Sequence, residues 1–408
     1  VSKYRLFEVF GIELEYMIVD KSSLKLAPVA DQLFKKAMGE IVNDVTGDRV
    51  DWSNELVMHV AEFKNSKPER NVPALLPFFN NEIKRANDML QEWNCQLLPT
   101  AMHPLMNPET DTKLWPHGNN EIYSAYDRIF SCKGHGWSNL QSMHINISFA
   151  TDSEFGALHS SIRALLPLIP AMSSSSPIYE GQIRENKSSR LNFYFQNQKR
   201  IPSILGLAVP EVIKTPADYE AKVLQPMYKE ISPFDSAGLL QHEWLNSRAA
   251  IPKFEYGCIE IRLADIQETP AVDLAIATFW TQALRQLAAG SWLNIEKFDA
   301  IPTAQLRQVL NGTVRSAEEY QITDLEYLKC FGFSQSVQAK ELLRSIFLAV
   351  ESNSDVQSVR KSLEKLLLTG SLSTRLLRAL PKQPKPEEIQ TVYKELMRCL
   401  ETGAFFAH

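Results

Sequence analysis

FGIELEYMIVD, Phe10–Asp20, sets Phe10, Ile12, Leu14 and Tyr16 in alternation with Gly11, Glu13, Glu15 and Met17. Residues i and i+2 of a strand share a face, so the spacing predicts a strand with one apolar side and with Glu13 and Glu15 projecting together on the other. Two later stretches repeat the arrangement. Ile145, Ile147 and Phe149 alternate with His144, Asn146 and Ser148, and Ile259, Ile261 and Leu263 alternate with Cys258, Glu260, Arg262 and Ala264. Clean alternation of this kind belongs to an antiparallel sheet packed on a core by one face only. The expected fold class is therefore α+β, with chemistry carried on the free face of the sheet.

Working outward, residues 28 to 39 read as a short helix, and VDWSNELVMHVAEFK (50 to 64) reads as a strand pair carrying Glu55 and Glu62. Between Val72 and Trp93, Leu76, Phe79, Ile83, Ala86, Leu90 and Trp93 recur at steps of three and four, the period of an amphipathic helix. A short strand, CQLLPTAMHP, follows. Residues 104 to 138, rich in Pro, Gly, Asn and His, read as a long irregular connection, and such loops are often functional. A helix is expected over roughly 153 to 170. The polar stretch SSSSPIYEGQIRENKSSR after it is read as unable to form a core, and 200 to 240 gives no clear pattern. A helix from about Ala271 to Ala289 follows the Glu260 strand.

Beyond residue 300 the pattern turns helical. Val356, Val359, Leu363, Leu366 and Leu367 make one stripe closed by Gly370, and Ile389, Val392, Tyr393, Leu396, Met397 and Leu400 make another, with PKQPKP between them. The expected division is a catalytic body over 1 to 300 and a helical C-terminal region over 301 to 408, packed on it.

At 408 residues, 44% hydrophobic and 22% charged, the chain is globular, which excludes disordered and fibrous classes. A formal charge of −5 supplies no basic field for nucleic acid, so the expected partners are small molecules. Five cysteines without a C-x-x-C argue against a disulfide framework or a structural zinc site and for a reducing compartment. No apolar run reaches the ~18 residues of a membrane span, and VSKYRLFEVFGIELEY lacks the apolar core of a leader. The expectation is a soluble cytoplasmic protein.

Taken singly, each pair has a plain reading. An E-x-E on a strand is more often a solvated face than a metal site, and Glu260/Arg262 could be a surface ion pair of little consequence. If the three faces converge, Glu13, Glu15, Glu55, Glu62 and Glu260 crowd several negative charges, which requires raised pKa values or entry of cations. Oxygen ligands with one imidazole suit Mg2+ or Mn2+. His103, before Pro104, is more often simply packed than functional. Cys258 has no base near it in sequence and reads as a small filler.

FGIELEYMIVD resembles the opening G-x-E-x-E strand of the type 2 glutamate-cysteine ligase and carboxylate-amine ligase family. ELVMHVAEFKNSKP is similar to its second acidic segment, PTAMHPLMNP to its short strand ending in His-Pro, and NLQSMHINISF to its H-x-H/N strand. SSSSPIYEGQIRENKSSR resembles its small-residue segment followed by Ser-Arg, and SRAAIPKFEYGCIEIRLADIQETP its R-x(n)-G-x-x-E-x-R-x-x-D signature. These six motifs, in order over residues 9 to 285, cover roughly the first 300 residues. The last hundred do not align with the family's arginine-rich ending.

The resemblance implies a glutamine-synthetase-like half-barrel, a curved antiparallel sheet flanked by helices that holds ATP and two or three Mg2+ or Mn2+ ions. It implies that Glu13, Glu15, Glu55, Glu62, His144 and Glu260 bind metal and that Arg262 approaches the transferring phosphate. Arg190 matches a catalytic partner for phosphate or substrate carboxylate. Arg248 matches a further ATP- or substrate-binding arginine, although SRAA stands where relatives often have Arg-Pro. Asn146 replaces a second histidine and is read as a ligand or a substrate contact. The implied activity joins a carboxylate, the glutamate side chain by family default, to an amine, cysteine by family default. A homodimer is compatible with it. A metal-dependent amidase or hydrolase on the same scaffold, or a non-catalytic metal- or nucleotide-binding protein, stays open as an alternative.

Overall fold

A computed structural model describes residues 4 to 408; the first three, part of the stretch read above for a leader, lie outside it. An eight-stranded antiparallel sheet organises the chain. Its strands are β1 (Phe10–Asp20), β2 (Asp44–Val45), β3 (Val50–Asn54), β4 (Val60–Asn65), β5 (Cys95–Leu98), β6 (Ser142–Ser148), β9 (Ala250–Lys253) and β10 (Cys258–Asp265). Two small hairpins lie apart, β7 (Ile178–Tyr179) with β8 (Gln182–Ile183) and β11 (Gln321–Ile322) with β12 (Val337–Gln338). The large sheet runs β2-β3-β4-β1-β6-β10-β9, open at both ends, and β5 pairs with the C-terminal half of β1.

The register follows from the alternation. Glu13 of β1 lies opposite His144 of β6 and Lys64 of β4, Glu15 opposite Glu62, and Glu260 opposite Asn146. Phe10, Ile12, Leu14, Tyr16, Ile145, Ile147, Ile259 and Ile261 therefore point the other way, into the main core. Helices cover that face. Leu76–Leu90 buries Phe79, Ile83, Ala86 and Leu90, the residues its spacing selects. Pro270–Ala288, started by a Thr269 side chain that accepts from the Val272 N–H, is buried along most of its length.

The opposite face of β1 changes character along the strand. Past Glu15 come Met17 and Val19, which belong to a second apolar cluster with Leu98, Leu372, Leu376, Tyr393 and Leu396. The helices Leu372–Ala379 and Pro386–Thr402 thus plug one end of the acidic face. Arg375 locks the plug. Both Arg375 and Glu268 are fully buried and form a bidentate pair, and Arg375 also donates to the Phe406 carbonyl at 2.7 Å.

Two stretches differ from the sequence reading. Ser173–Ser176 is fully buried rather than excluded from a core, because its hydroxyls find partners. Ser173 and Ser174 donate to the carbonyls of Ile169 and Pro170 at 3.0 and 2.7 Å, and Ser176 donates to Asp265 at 2.9 Å. The connection 104 to 138 contains a helix, Asn120–Phe130, hidden from composition by the Pro, Gly and Asn residues before it. Among the described residues no helix is long and apolar enough to cross a membrane.

Three of the buried histidines make the fold acid-sensitive. His59, His103 and His159 are each pushed down to about 4 by burial. His103 is a satisfied core residue, its Nε2 donating to the Leu24 carbonyl at 2.7 Å and its Nδ1 accepting from the Leu105 N–H. Among the described residues His159 has no hydrogen-bond partner, and it packs between Phe155 and Tyr219. Between pH 6.5 and 4 the unfolded chain binds protons that these folded imidazoles refuse. Their stability contribution is therefore present above pH 6.5 and lost as pH falls, up to about 3 kcal/mol each. Urea unfolding at pH 7 and 4.5 is expected to show this fall, and His159→Leu to flatten it; an unchanged slope in that variant would contradict the account.

Candidate active site

Strand pairing brings Glu13, Glu15, Glu62, His144, Asn146 and Glu260 onto one face of four adjacent strands. Gly11 permits a close approach there, since a Cβ on it would lie 3.1 Å from the Cβ of Asn146. Asn146 uses that space to donate from Nδ2 to Glu13 at 2.9 Å. His144 donates from Nδ1 to Glu13 at 2.9 Å and from Nε2 to the Ser142 hydroxyl at 2.8 Å, and that hydroxyl donates to Glu15 at 2.9 Å.

Two ligand sets result, Glu13/His144/Glu260 and Glu15/Glu62/His144, each with donor atoms within 4.8 Å of one another. They share His144, whose Nδ1 faces Glu13 and Glu260 while its Nε2 faces Glu15. Carboxylate oxygens with one imidazole are a donor set that fits Mg2+ or Mn2+. Glu55, just past the end of β3, stands outside both sets and lines the cleft beside them.

The electrostatics reflect the crowding. Burial, then the Glu15 and Glu62 charges, push the Glu55 carboxyl well above the usual range. Burial and the Glu13 charge raise Glu62 to about 7. Burial also opposes ionisation of Glu13, but the His144 hydrogen bond and the Lys253 and Lys64 charges outweigh it and hold that carboxyl well down. Glu260, fully buried, is kept ionised against burial by Arg262 and Lys253.

Arg262 sits at a break in the β6/β10 register between Ile261 and Ala264. Such bulges re-aim side chains, and here Arg262 both grips Glu260 from Nε and lines a cleft of about 240 Å3. The connection 104 to 138 contributes Tyr123, Tyr126 and Trp137 to that cleft, and the segment 173 to 190 contributes Arg190. Arg190, 2% exposed, pairs with Asp265 at 3.2 Å and donates to the Arg262 carbonyl at 2.8 Å. Asp265 also accepts from the Ser175 N–H and from the Ser176 and Ser188 hydroxyls. Asp265→Asn weakens this cradle, with an expected cost of about 2 kcal/mol in urea unfolding and a displaced Arg190; an unchanged unfolding midpoint would exclude it.

Arg248 is not brought to the cleft. It lies 4% exposed with Glu211 on its Nε and Nη2 and the Ser203 carbonyl on its Nη1, and the residues that line the cleft do not include it. Cys258, on the same face as Glu260, has its thiol pushed up to about 12 by burial and is no thiolate at neutral pH. Sequence reasoning missed Lys64 and Lys253, which reach the carboxylates, and gave Asp265 no task. Their only local signals are the two-residue spacing of Lys64 from Glu62 and the place of Asp265 at the end of the β10 signature.

The family model described as glutamate-cysteine ligase family 2 matches residues 9–395. An uncharacterized protein of Archaeoglobus fulgidus is 33% identical over 399 residues, covering 98% of this chain and all of its own. A protein of Janthinobacterium sp. (strain Marseille) named "Putative glutamate--cysteine ligase 2" is 25% identical over 383 residues, 89% of this chain and 93% of its own. Among solved structures, glutamate–cysteine ligase from Francisella tularensis in complex with AMP shares the fold, with a TM-score of 0.61 at 12% identity over 100% of this chain and 91% of that one. The bifunctional glutathione synthetase of Pasteurella multocida does so at 0.54 and 12%, over 96% of this chain and 52% of that one. With the family model spanning all but the ends of the sequence, the chain belongs to the glutamate-cysteine ligase family 2 and is an ATP-dependent ligase.

Proposed function

We propose that the protein activates a carboxylate, the side chain of glutamate by the family's name, as an acyl phosphate and joins it to an amine, cysteine by the same default. The single observation that carries this reading is the pair of carboxylate–histidine sets side by side, with Arg262 at the edge of one and a cleft alongside. In the first step a carboxylate oxygen forms a bond to the γ-phosphorus and ADP leaves. In the second the amine nitrogen bonds to the acyl carbon, phosphate leaves with the C–O electron pair, and the nitrogen gives up a proton.

Bound at Glu13, Glu15, Glu62, His144 and Glu260, divalent cations would neutralise the phosphate oxygens and hold the nucleotide. Arg262 stabilises charge spreading over the transferring group, a task for which a planar fork suits better than an ammonium. Arg190, already fixed by Asp265, presents its remaining face to a substrate carboxylate. Asn146 orients Glu13. Tyr123, Tyr126 and Trp137 wall the cleft and keep water from the acyl phosphate, which would otherwise hydrolyse and turn the enzyme into an ATPase.

The test is phosphate release from Mg-ATP and glutamate with cysteine and a panel of other amines added singly, and products identified by mass. Stimulation by one acceptor with the matching amide formed is the expected result. Amide hydrolysis without ATP would overturn the reading in favour of a metal hydrolase, and nucleotide binding without release for any acceptor would overturn it in favour of a binding protein.

A further inference from the structure

Each candidate ligand set carries its own ammonium group. Lys253, the last residue of β9, lays its Nζ against Glu260 and 3.7 Å from Glu13, the two carboxylates of the first set. Lys64 of β4 places its Nζ 3.3 Å from Glu62 of the second set and 2.9 Å from the Ser53 hydroxyl. The two lysines come from different hairpins, so their matching placement is not a by-product of one local motif.

An ammonium group in contact with a carboxylate and a divalent ion bound by that same carboxylate repel one another and crowd the same space. The lysine side chains are 29% and 36% exposed, on flexible four-carbon stems, so they can swing out as an ion enters. On the Lys253 side there is open space beside the side chain. Lys253 borders a groove with Trp244, and Trp244 also lines the main cleft.

Charge balance gives the exchange a consequence. With the carboxylates fully ionised and His144 neutral, as a metal ligand is, Glu13, Glu15, Glu55, Glu62 and Glu260 exceed Lys64, Lys253 and Arg262 by two negative charges. A cation on each ligand set turns that deficit into a surplus of two positive charges, and the released ammonium groups are then free to meet phosphate oxygens.

We propose that Lys64 and Lys253 are resident counter-ions of the two cation positions, which metal entry displaces and thereby converts into phosphate-binding groups for the nucleotide. The proposal rests on the metal- and ATP-dependent reading above, and its test needs no turnover. Mn2+ is titrated into the metal-free enzyme with free ion counted by electron paramagnetic resonance, and Mg-ATP binding is measured separately by calorimetry. Lys64→Met and Lys253→Met are expected to bind Mn2+ about fivefold more tightly, because no ammonium competes, and Mg-ATP about tenfold more weakly. Lys253→Arg keeps the charge and is expected to keep both affinities near wild type.

Should either methionine variant fail to give a folded circular-dichroism spectrum, the glutamine variant at that position takes its place. Mn2+ affinity unchanged or weakened in the folded variants would overturn the proposal. Tighter Mn2+ with unaltered Mg-ATP affinity would overturn the phosphate-binding half. Absence of ligase activity with every acceptor would count against the proposed function and leave both binding results standing.

Discussion

Arg262→Ala is expected to lower kcat about 10^3-fold while the KM for ATP moves far less, because the guanidinium acts where charge develops rather than where nucleotide is held. The fold should survive. Arg262 is 23% exposed on the functional face, and its removal leaves Glu260 still paired with Lys253. Arg262→Lys is expected to restore little, since an ammonium on a flexible stem cannot span two phosphate oxygens as a planar fork does. Steady-state kinetics with circular dichroism as the folding control decides the matter. Turnover above a tenth of wild type in the alanine variant would remove Arg262 from the chemistry.

The largest effect on stability is expected at Arg375→Ala. Glu268 and Arg375 are both 0% exposed, so the substitution strands a carboxylate in the interior and frees the Phe406 carbonyl from its donor. Breaking one side of a buried pair costs about 3 to 5 kcal/mol. Replacing both partners together, Glu268→Leu with Arg375→Met, is expected to recover most of that loss, since the desolvation of two charges disappears with them. Urea unfolding of the three proteins tests this. A double variant no more stable than Arg375→Ala would show that the pair contributes net stability in its own right.

What the sequence made legible was whatever obeys a period. Alternation by twos put Glu13 with Glu15, His144 with Asn146 and Glu260 with Arg262 on shared faces, and spacing by threes and fours marked Leu76–Leu90. Convergence was not legible, because register is set by partners far along the chain: Glu13 meets His144 across 131 residues. Polar residues that end up inside read as surface until their partners are known. Ser173–Ser176 has that character, its hydroxyls taken up by carbonyls and by Asp265 some ninety residues away. Lys64 and Lys253 look like ordinary solvated lysines on strands. The place of Arg248 before the β10 signature points it toward the site, yet its partner Glu211 lies in the stretch that shows no clear pattern.

The open sheet also has to avoid recruiting neighbours, because unpaired strand edges are templates for further strands. At one end β2 is two residues long, too short to template another chain. At the other, β9 carries Pro252, which has no N–H to offer an incoming strand. A groove that must stay open for its ligands is thus bordered by edges built against aggregation, and Pro252→Val is the change that would expose the chain to it.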